Sequence, residues 1–242
     1  MRPIFVVLHN VSIPFTALEM AEKMATAFDQ EIKLLLFEEH FLDESISKFS
    51  HIVVKKEHLA TFAEENDAAM ILFEIPQKTS NRAIQNLLHC SRNLRMPYLF
   101  VKQGQRTNFS SILVPITFLE EDKEKALFSS AFGRFFQSKI TLLTANDYGS
   151  KAKRNTDAIK TLLNSFSLTY NELTAKKDSF RVEKEAIKKA TTENHDLVIL
   201  SASREYGLDD WLFGPKEQRL IKKSEVALML INPRGDLYAL CN

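Results

Sequence analysis

Glycine is the residue type that a phosphate-binding loop needs most, because such loops require backbone with positive φ or backbone that approaches the ligand closely. The chain has six glycines. They stand at positions 104, 133, 149, 207, 214 and 235, so residues 1–103 contain none. Residues 1–103 therefore cannot form an ordinary glycine-rich nucleotide loop, and any such loop must lie in the second half.

Histidine and cysteine pairs offer two further kinds of chemistry, metal binding and nucleophilic catalysis. His51 and His58 are seven residues apart, but His51 opens a predicted strand, so the two do not share a helix face as metal ligands would. His89 and Cys90 are adjacent in a predicted helix, where neighbouring side chains point about 100° apart, a poor geometry for a nucleophile and its base. Cys90 and Cys241 form no disulfide framework and no CxxC motif, which is typical of the reducing cytoplasm. We expect neither a metal site nor a catalytic residue.

The charges of the chain almost cancel. Lysine and arginine number 32 against 31 aspartates and glutamates, a net charge of +1. This balance excludes a strongly electrostatic nucleic-acid-binding protein, although a basic patch can exist within a neutral total. The basic runs 151–154 and 176–177 are interpreted as solvated faces, because no stacking aromatic residues accompany them. No apolar stretch approaches the roughly 20 residues that span a bilayer. The sequence predicts a cytoplasmic protein with no nucleic-acid partner and no membrane partner.

Short apolar runs alternate with longer helical patterns, which is typical of βα units around a mainly parallel sheet. In the second half, strands are predicted at 111–116, 139–145, 168–174, 196–201 and 226–231. Helices are predicted at 121–137, 156–165, 180–194 and 216–224. Near-continuous Val, Ile and Leu in the first, fourth and fifth strands indicates strands that are covered on both faces.

The first half repeats this series in a shorter form. Its strands are predicted at 3–8, 31–37, 51–54, 68–74 and 98–101, and its helices at 15–28, 57–66 and 80–94. The helix that would match 156–165 is missing around 43–50. The sequence therefore predicts two α/β domains, an abridged one at 1–102 and a complete one at 110–233. A polar linker at 103–109 joins them, and a C-terminal tail at 234–242 follows.

Residues 112–116 (ILVPI), the Glu/Lys-rich helix after them, the βαβ series, and the closing Gly214 and 227–231 (ALMLI) together resemble the universal stress protein family. The resemblance covers the whole chain, and the ordered series of elements carries it rather than any single motif. It implies two tandem adenine-nucleotide-hydrolase-like domains, each a mainly parallel five-stranded sheet flanked by helices. It also implies a role in stress response or regulation, with pairing through the last strands.

Nucleotide-binding members of that family carry G-x2-G-x9-G-(S/T) after the fourth strand and an acidic residue at the end of the first strand. The glycines let N–H groups approach the phosphates at a helix N-terminus, and the acid accepts hydrogen bonds from the nucleoside. The four motif positions, counted back from Gly214, hold Ser201, Arg204, Gly214 and Pro215. One position of four matches, and Pro215 has no N–H to donate. Thr117, and Asn10 in the first copy, stand where the acid is expected. The resemblance therefore implies a degraded ATP site.

Two interpretations of this degraded site remain open. In the first, the pocket is closed and the protein works through its surfaces. In the second, Arg204 replaces the lost N–H groups as a charge-assisted phosphate clamp. Thr117, Ser201, Ser203 and Gly214 would then complete the pocket for a smaller ligand such as AMP or a non-nucleotide anion. No cofactor is required by the sequence, and ATP and AMP are the candidates.

The acidic run Glu120-Glu121-Asp122 opens a predicted helix, where negative charge offsets the positive end of the helix dipole. Thr117 and Glu120 also have the spacing of a capping box, in which each side chain bonds the other's backbone N–H. These two effects explain the acidic run without a catalytic role.

The sequence thus predicts a universal-stress-protein-like regulatory protein that acts by binding and is not an enzyme. The last strands, 98–101 and 228–231, are expected to pair the two copies. The paired unit is expected to form a homodimer and to present a surface to an unidentified protein partner. Trp211, in the loop after the fourth strand, is either a lid or an anchor for that partner. The alternative is an adenine-nucleotide or small-anion sensor that uses the altered loop 201–215.

Overall fold

The chain divides into two compact units, Met1–Thr107 (unit 1) and Asn108–Asn242 (unit 2). The computed structural model describes residues 1–8, 13–37, 50–202 and 215–233. The predicted tail at 234–242 and almost all of the abridged segment around 43–50 lie outside these residues.

Unit 1 contains five parallel strands in the order β3-β2-β1-β4-β5. They are β1 (Pro3–Leu8), β2 (Glu31–Phe37), β3 (His51–Val54), β4 (Met70–Ile75) and β5 (Tyr98–Lys102). Its described helices are α1 (Phe15–Phe28), α2 (Leu59–Glu65) and α3 (Asn81–Ser91). β1, β4 and β5 are buried along their whole length, as their near-continuous apolar sequences require.

Unit 2 also contains five parallel strands, in the order β8-β7-β6-β9-β10. They are β6 (Ser111–Ile116), β7 (Lys139–Thr144), β8 (Tyr170–Thr174), β9 (Leu197–Ser201) and β10 (Ala227–Ile231). Its described helices are α4 (Lys125–Phe135), α5 (Lys151–Ser165), α6 (Val182–Thr192) and α7 (Lys216–Lys223). A 3-10 turn at Glu120–Glu124 leads into α4. β9 and β10 are fully buried, whereas β8 at the end of the order is mostly exposed.

Five of the seven described helices are followed by a left-handed residue other than glycine. Positive φ values occur at Asp29, Asp67, Gln137, Ser167 and Asn194, each just after a helix. Helix ends of this kind usually take glycine, but aspartate and asparagine adopt the conformation because their short polar side chains bond locally. The chain therefore turns from helix to strand without needing many glycines. None of the helices in the described residues is both long enough and apolar enough to cross a lipid bilayer.

The predicted α/β class is confirmed, and every predicted strand is present to within two residues at either end. Two helices differ by more than three residues at their starts, since α5 begins at Lys151 and not at 156, and α4 begins at Lys125 and not at 121, after the 3-10 turn. The basic run 151–154 belongs to α5 because Ala152 and Asn155 continue the buried stripe of Ile159 and Leu163 one turn earlier.

Candidate functional site

The order of strands in unit 2 reverses between β6 and β9. From β6 the chain proceeds to β7 and β8 on one side, and β9 then adds to the other side of β6. In open α/β sheets a crevice forms at the carboxyl ends of the two strands at such a reversal, and ligands bind there. The sequence-predicted residues Thr117 and Ser201 lie at this position, just after β6 and at the end of β9.

β6 and β9 pair at two positions only, Ile112 with Leu197 and Leu113 with Val198. Beyond them stands Pro115, which has no N–H to donate to a neighbouring strand. The two strands therefore separate toward their carboxyl ends. Side chains from the segment after β6 occupy the space that opens between them.

A buried ion pair lies in this crevice. Asp122, from the 3-10 turn, and Lys125, the first residue of α4, are 1% and 0% exposed, with Lys125 Nζ 2.8 Å from Asp122 Oδ1. The Lys125 ammonium also donates to the carbonyl of Pro115 at 2.7 Å. A buried charge pair needs further hydrogen bonds to offset the loss of hydration, and the remaining partners come from the two strand ends.

Thr117 and Ser201 both donate to Asp122. The Thr117 backbone N–H lies 2.5 Å from Oδ2, and the Ser201 hydroxyl lies 2.6 Å from Oδ1. Burial raises the pKa of the Asp122 carboxyl, but the charge of Lys125 and the hydrogen bonds from Lys125, Ser201 and Thr117 outweigh it. The net effect lowers the pKa of Asp122, so this carboxylate stays ionised at neutral pH.

The loop after β6 is fixed by a second set of contacts. Asn155 on α5 donates to the carbonyls of Thr117 (2.9 Å) and Leu119 (2.7 Å). The Leu119 N–H donates to the Thr117 hydroxyl at 3.1 Å, and Ser179 accepts the Phe118 N–H at 2.9 Å. The predicted capping box does not form, because Thr117 Oγ1 accepts from Leu119 and Glu120 instead pairs with Lys123.

Unit 1 holds a different carboxylate at the matching place, the carboxyl ends of β1 and β4. Glu74 is 6% exposed, and its Oε2 accepts the N–H of Ala17 at 2.9 Å. Thr16 also donates to it, so the carboxylate covers N–H groups in the first turn of α1 that have no partner inside the helix. Burial raises the pKa of Glu74, and the hydrogen bonds from Ala17 and Thr16 only partly offset that rise.

Gly104 supports this arrangement in unit 1. Its N–H donates to the Thr16 hydroxyl at 2.9 Å, and its φ is +76°, a conformation that favours glycine. The glycine thus serves a turn that contacts the start of α1.

The predicted pocket residues are partly described. Thr117 and Ser201 are brought together, each through Asp122, whereas Ser203, Arg204 and Gly214 lie outside the described residues, as do Asn10 and Trp211. Sequence reasoning missed Asp122, Lys125 and Asn155. The signal for the first two is their spacing of three residues on the turn that follows β6, since an aspartate and a lysine at this spacing lie close enough to pair.

The histidine and cysteine candidates do not assemble into a site. Burial raises the pKa of the Cys90 thiol to about 11, so the thiolate that a nucleophile needs is disfavoured at neutral pH. Within residues 1–8, 13–37, 50–202 and 215–233, no group of three or more His, Cys, Asp or Glu side chains is placed to hold a metal ion.

Comparison with known proteins gives matches by structure. No family model matches the sequence, and no curated protein matches it either. A universal stress protein from Archaeoglobus fulgidus aligns over 97% of this chain and 97% of its own, with a TM-score of 0.68 and 10% identity. A protein of unknown function from Pseudomonas aeruginosa aligns over 99% of this chain and 95% of its own, with a TM-score of 0.66 and 13% identity.

A second Pseudomonas aeruginosa protein, one proposed to be a universal stress protein, gives a similar result. It aligns over 99% of this chain and 96% of its own, with a TM-score of 0.64 and 12% identity. At such identities the likeness concerns the fold and not the activity. The chain has the fold of the universal stress proteins along nearly its whole length.

Proposed function

We propose that the protein is a non-catalytic regulatory protein of the stress-response type, which acts by binding through its surfaces and does not use ATP. The fold is that of universal stress proteins, and the crevice that would receive a nucleotide in unit 2 is occupied by side chains of the chain itself. Fold alone does not determine function, so the proposal depends on the crevice.

The observation that carries the proposal is the burial of Asp122 among its own donors. Its carboxylate is 1% exposed and accepts from Lys125, Ser201 and the Thr117 N–H. A nucleoside hydroxyl could reach it only by moving these groups aside and leaving a buried charge poorly bonded, which costs several kcal/mol. The Asp122 carboxylate therefore stabilises the fold of unit 2 and is not available to a ligand.

Isothermal titration and thermal-shift measurements of the full chain with ATP, ADP, AMP and inorganic phosphate test the proposal. We expect no heat of binding, no rise in Tm, and no nucleotide retained in native mass spectra of the freshly purified protein. A ligand present at 100 times its Kd would stabilise the protein by about 2.7 kcal/mol, an effect that a thermal shift detects readily.

The same titration addresses the sensor alternative. Binding of AMP or phosphate that Arg204→Ala abolishes, and that the control variant Arg82→Ala at an exposed position in unit 1 leaves intact, would contradict the proposal and favour a sensor that uses loop 201–215. The homodimer and the pairing of the last strands stay predictions, and the mass in the native spectrum measures the first of them.

A further inference from the structure

A groove lined by basic side chains runs along α6 in unit 2. On one side of the helix it is bounded by the segment between β8 and α6, and on the other by α7. The two parts have volumes of about 490 and 610 Å³ and share Lys184, Lys188 and Thr192. Eight lysine and arginine side chains and one carboxylate, Glu185, line them. Such an excess of one sign attracts a polyanion.

Within the described part of the chain, most of these cations have no counter-ion. Among the residues that the structure describes, no carboxylate forms an ion pair with the five basic residues Lys176, Lys177, Arg181, Lys184 and Lys188, all of which are exposed. The one carboxylate of the lining is already used, because Glu185 accepts the backbone N–H groups of Lys176 and Lys177 at 2.9 Å each. Glu185 therefore holds these two lysines beside α6.

The cations follow the helical repeat. Lys184 and Lys188 are four residues apart on α6, so they lie on one face about 6 Å apart along the helix axis. Arg219 and Lys223 have the same spacing on α7 and form the opposite wall of the second part. The groove thus presents rows of positive charge and not a single anion site.

Two exposed aromatic residues belong to segments that adjoin the start of α6, just outside the lining of the groove. Phe180 precedes the lining residue Arg181, is 80% exposed, and contacts Phe118 edge-on at 5.4 Å between ring centres. Tyr148 is fully exposed. Its loop is joined to the Phe180 segment, because the Asn146 N–H donates to the Lys177 carbonyl (2.8 Å).

Asp147 strengthens this junction. Its carboxylate accepts both the N–H of Ser179 (2.8 Å) and the hydroxyl of Ser179 (2.5 Å). The aromatic residues are therefore held next to the basic segment, although Tyr148 and Phe180 are distant in sequence.

Charge and aromatic surface together identify the occupant. A row of cations that ends in exposed rings is how proteins bind single-stranded nucleic acid, with phosphates along the cations and bases stacked on the rings. An acidic peptide would form ion pairs with the cations but would make no stacking contact with the rings. A membrane surface requires a broad apolar face along the helix, whereas the apolar side chains of the lining, Ile187 and Leu220, are buried and the exposed rings lie only near the start of α6.

We propose that the groove along α6 binds single-stranded nucleic acid, with its phosphates on Lys184, Lys188 and their basic neighbours and a base stacked on Phe180. The proposal does not depend on the nucleotide crevice. For the basic run 176–177 it replaces the expectation of a solvated face without neighbouring aromatic residues, and with it the expectation that the protein has no nucleic-acid partner.

Fluorescence anisotropy of the full chain with a labelled oligo-uridine of about 12 nucleotides tests it. We expect binding that weakens steeply with salt. Lys184→Gln/Lys188→Gln should weaken binding at least about tenfold and reduce the slope of log K against log salt by about 1.4, since each phosphate contact to a single strand contributes about 0.7. The matched control Lys139→Gln/Lys153→Gln removes the same charge from exposed positions off the groove and should leave the affinity and slope unchanged.

Phe180→Ala tests the stacking contact. Loss of one base–aromatic stack should weaken binding about tenfold without lowering Tm, because the ring is exposed. Phe166→Ala is the matched control, since Phe166 is also exposed and lies under Arg134, away from the groove.

Three results would overturn the proposal. The first is absence of binding at low salt, and the second is binding that the double lysine variant leaves intact. The third is competition by poly-glutamate as strong as that of unlabelled oligo-uridine, together with no effect of Phe180→Ala, which would assign the groove to an acidic protein.

Discussion

Each unit places a buried carboxylate at the carboxyl ends of its first and fourth strands, but the two units supply it from different segments. In unit 1, Glu74 at the end of β4 accepts a hydrogen bond from the start of α1, which lies earlier in the chain. In unit 2, Asp122 in the turn before α4 accepts a hydrogen bond from Ser201 at the end of β9, which lies later in the chain. Asp122 has a buried cation beside it, Lys125, whereas Glu74 forms no ion pair with the residues that the structure describes.

The same crevice of one fold is therefore filled by a carboxylate alone in unit 1 and by a carboxylate paired with a cation in unit 2. The end of the crevice leaves N–H and hydroxyl donors that need an acceptor, and an internal carboxylate provides it in both units. Without a cation, burial dominates and the pKa of Glu74 is raised. With Lys125 present, attraction and hydrogen bonds dominate and the pKa of Asp122 is lowered. The two units should therefore respond in opposite directions to pH and to loss of the carboxylate charge.

The largest effect is expected for Asp122→Asn. The variant keeps a side chain of the same shape but leaves the Lys125 ammonium buried without its counter-charge, which costs about 3–5 kcal/mol. Urea unfolding, followed by hydrogen exchange of peptides from each unit, measures the loss and should locate it in unit 2.

Lys125→Met and the double variant Asp122→Asn/Lys125→Met complete the test. Each single variant leaves one charge unpaired, and the double variant leaves none. The double variant should therefore be more stable than the sum of the single losses predicts, by at least about 1 kcal/mol. Additive losses would mean that the ion pair does not determine the stability of the crevice.

A smaller effect, with a pH dependence opposite to that of Asp122, is expected for Glu74→Gln. Glutamine retains an acceptor for the Ala17 N–H and carries no charge, so stability at neutral pH should stay within about 1 kcal/mol of the wild type. Because the pKa of Glu74 is raised from 4.5, its contribution to stability is fully present below pH 4.5 and is lost as the pH rises through the folded-state pKa.

The pH dependence of the stability difference between the wild type and Glu74→Gln reports on this carboxyl group alone. The wild type should gain stability relative to Glu74→Gln as the pH falls from neutrality toward 4.5, as measured by paired urea titrations in which all other groups cancel. A difference that stays flat over this range, or that changes in the opposite direction, would show that Glu74 is compensated as Asp122 is.

The buried strands of both units could be predicted because strands that are covered on both faces have nearly continuous apolar sequences. The MILFEI sequence of β4 even shows Glu74 within such a run, which is a signal for a buried carboxylate. Asp122 gives no such signal. Its neighbours are charged, and only the 3-10 turn at Glu120–Glu124 directs it inward while Glu120 remains exposed.

The basic groove escaped prediction for a related reason. Its cations come from the β8–α6 segment, α6 and α7, and a net charge of +1 gives no indication that they meet. The segments that carry Tyr148 and Phe180 are joined only by the bonds between Asn146 and Lys177 and between Asp147 and Ser179, as far as the described residues show. Contacts between distant loops are tertiary, and local sequence patterns do not encode them.

The effect expected for Ser201→Ala is a fraction of that for Asp122→Asn, because the variant removes one donor to Asp122 and leaves the ion pair in place. We expect a loss of about 1 kcal/mol, measured by urea unfolding, because Oδ1 keeps its contact with Lys125. The contribution of Asp122 is present above its ordinary pKa of 3.8 and is lost as the pH falls through the folded-state value. Without the serine the folded-state pKa is less depressed, so acid unfolding should begin at higher pH. Ser165→Ala, at an exposed position, should change neither quantity, and an equal shift in that control would remove Ser201 from the network that closes the crevice.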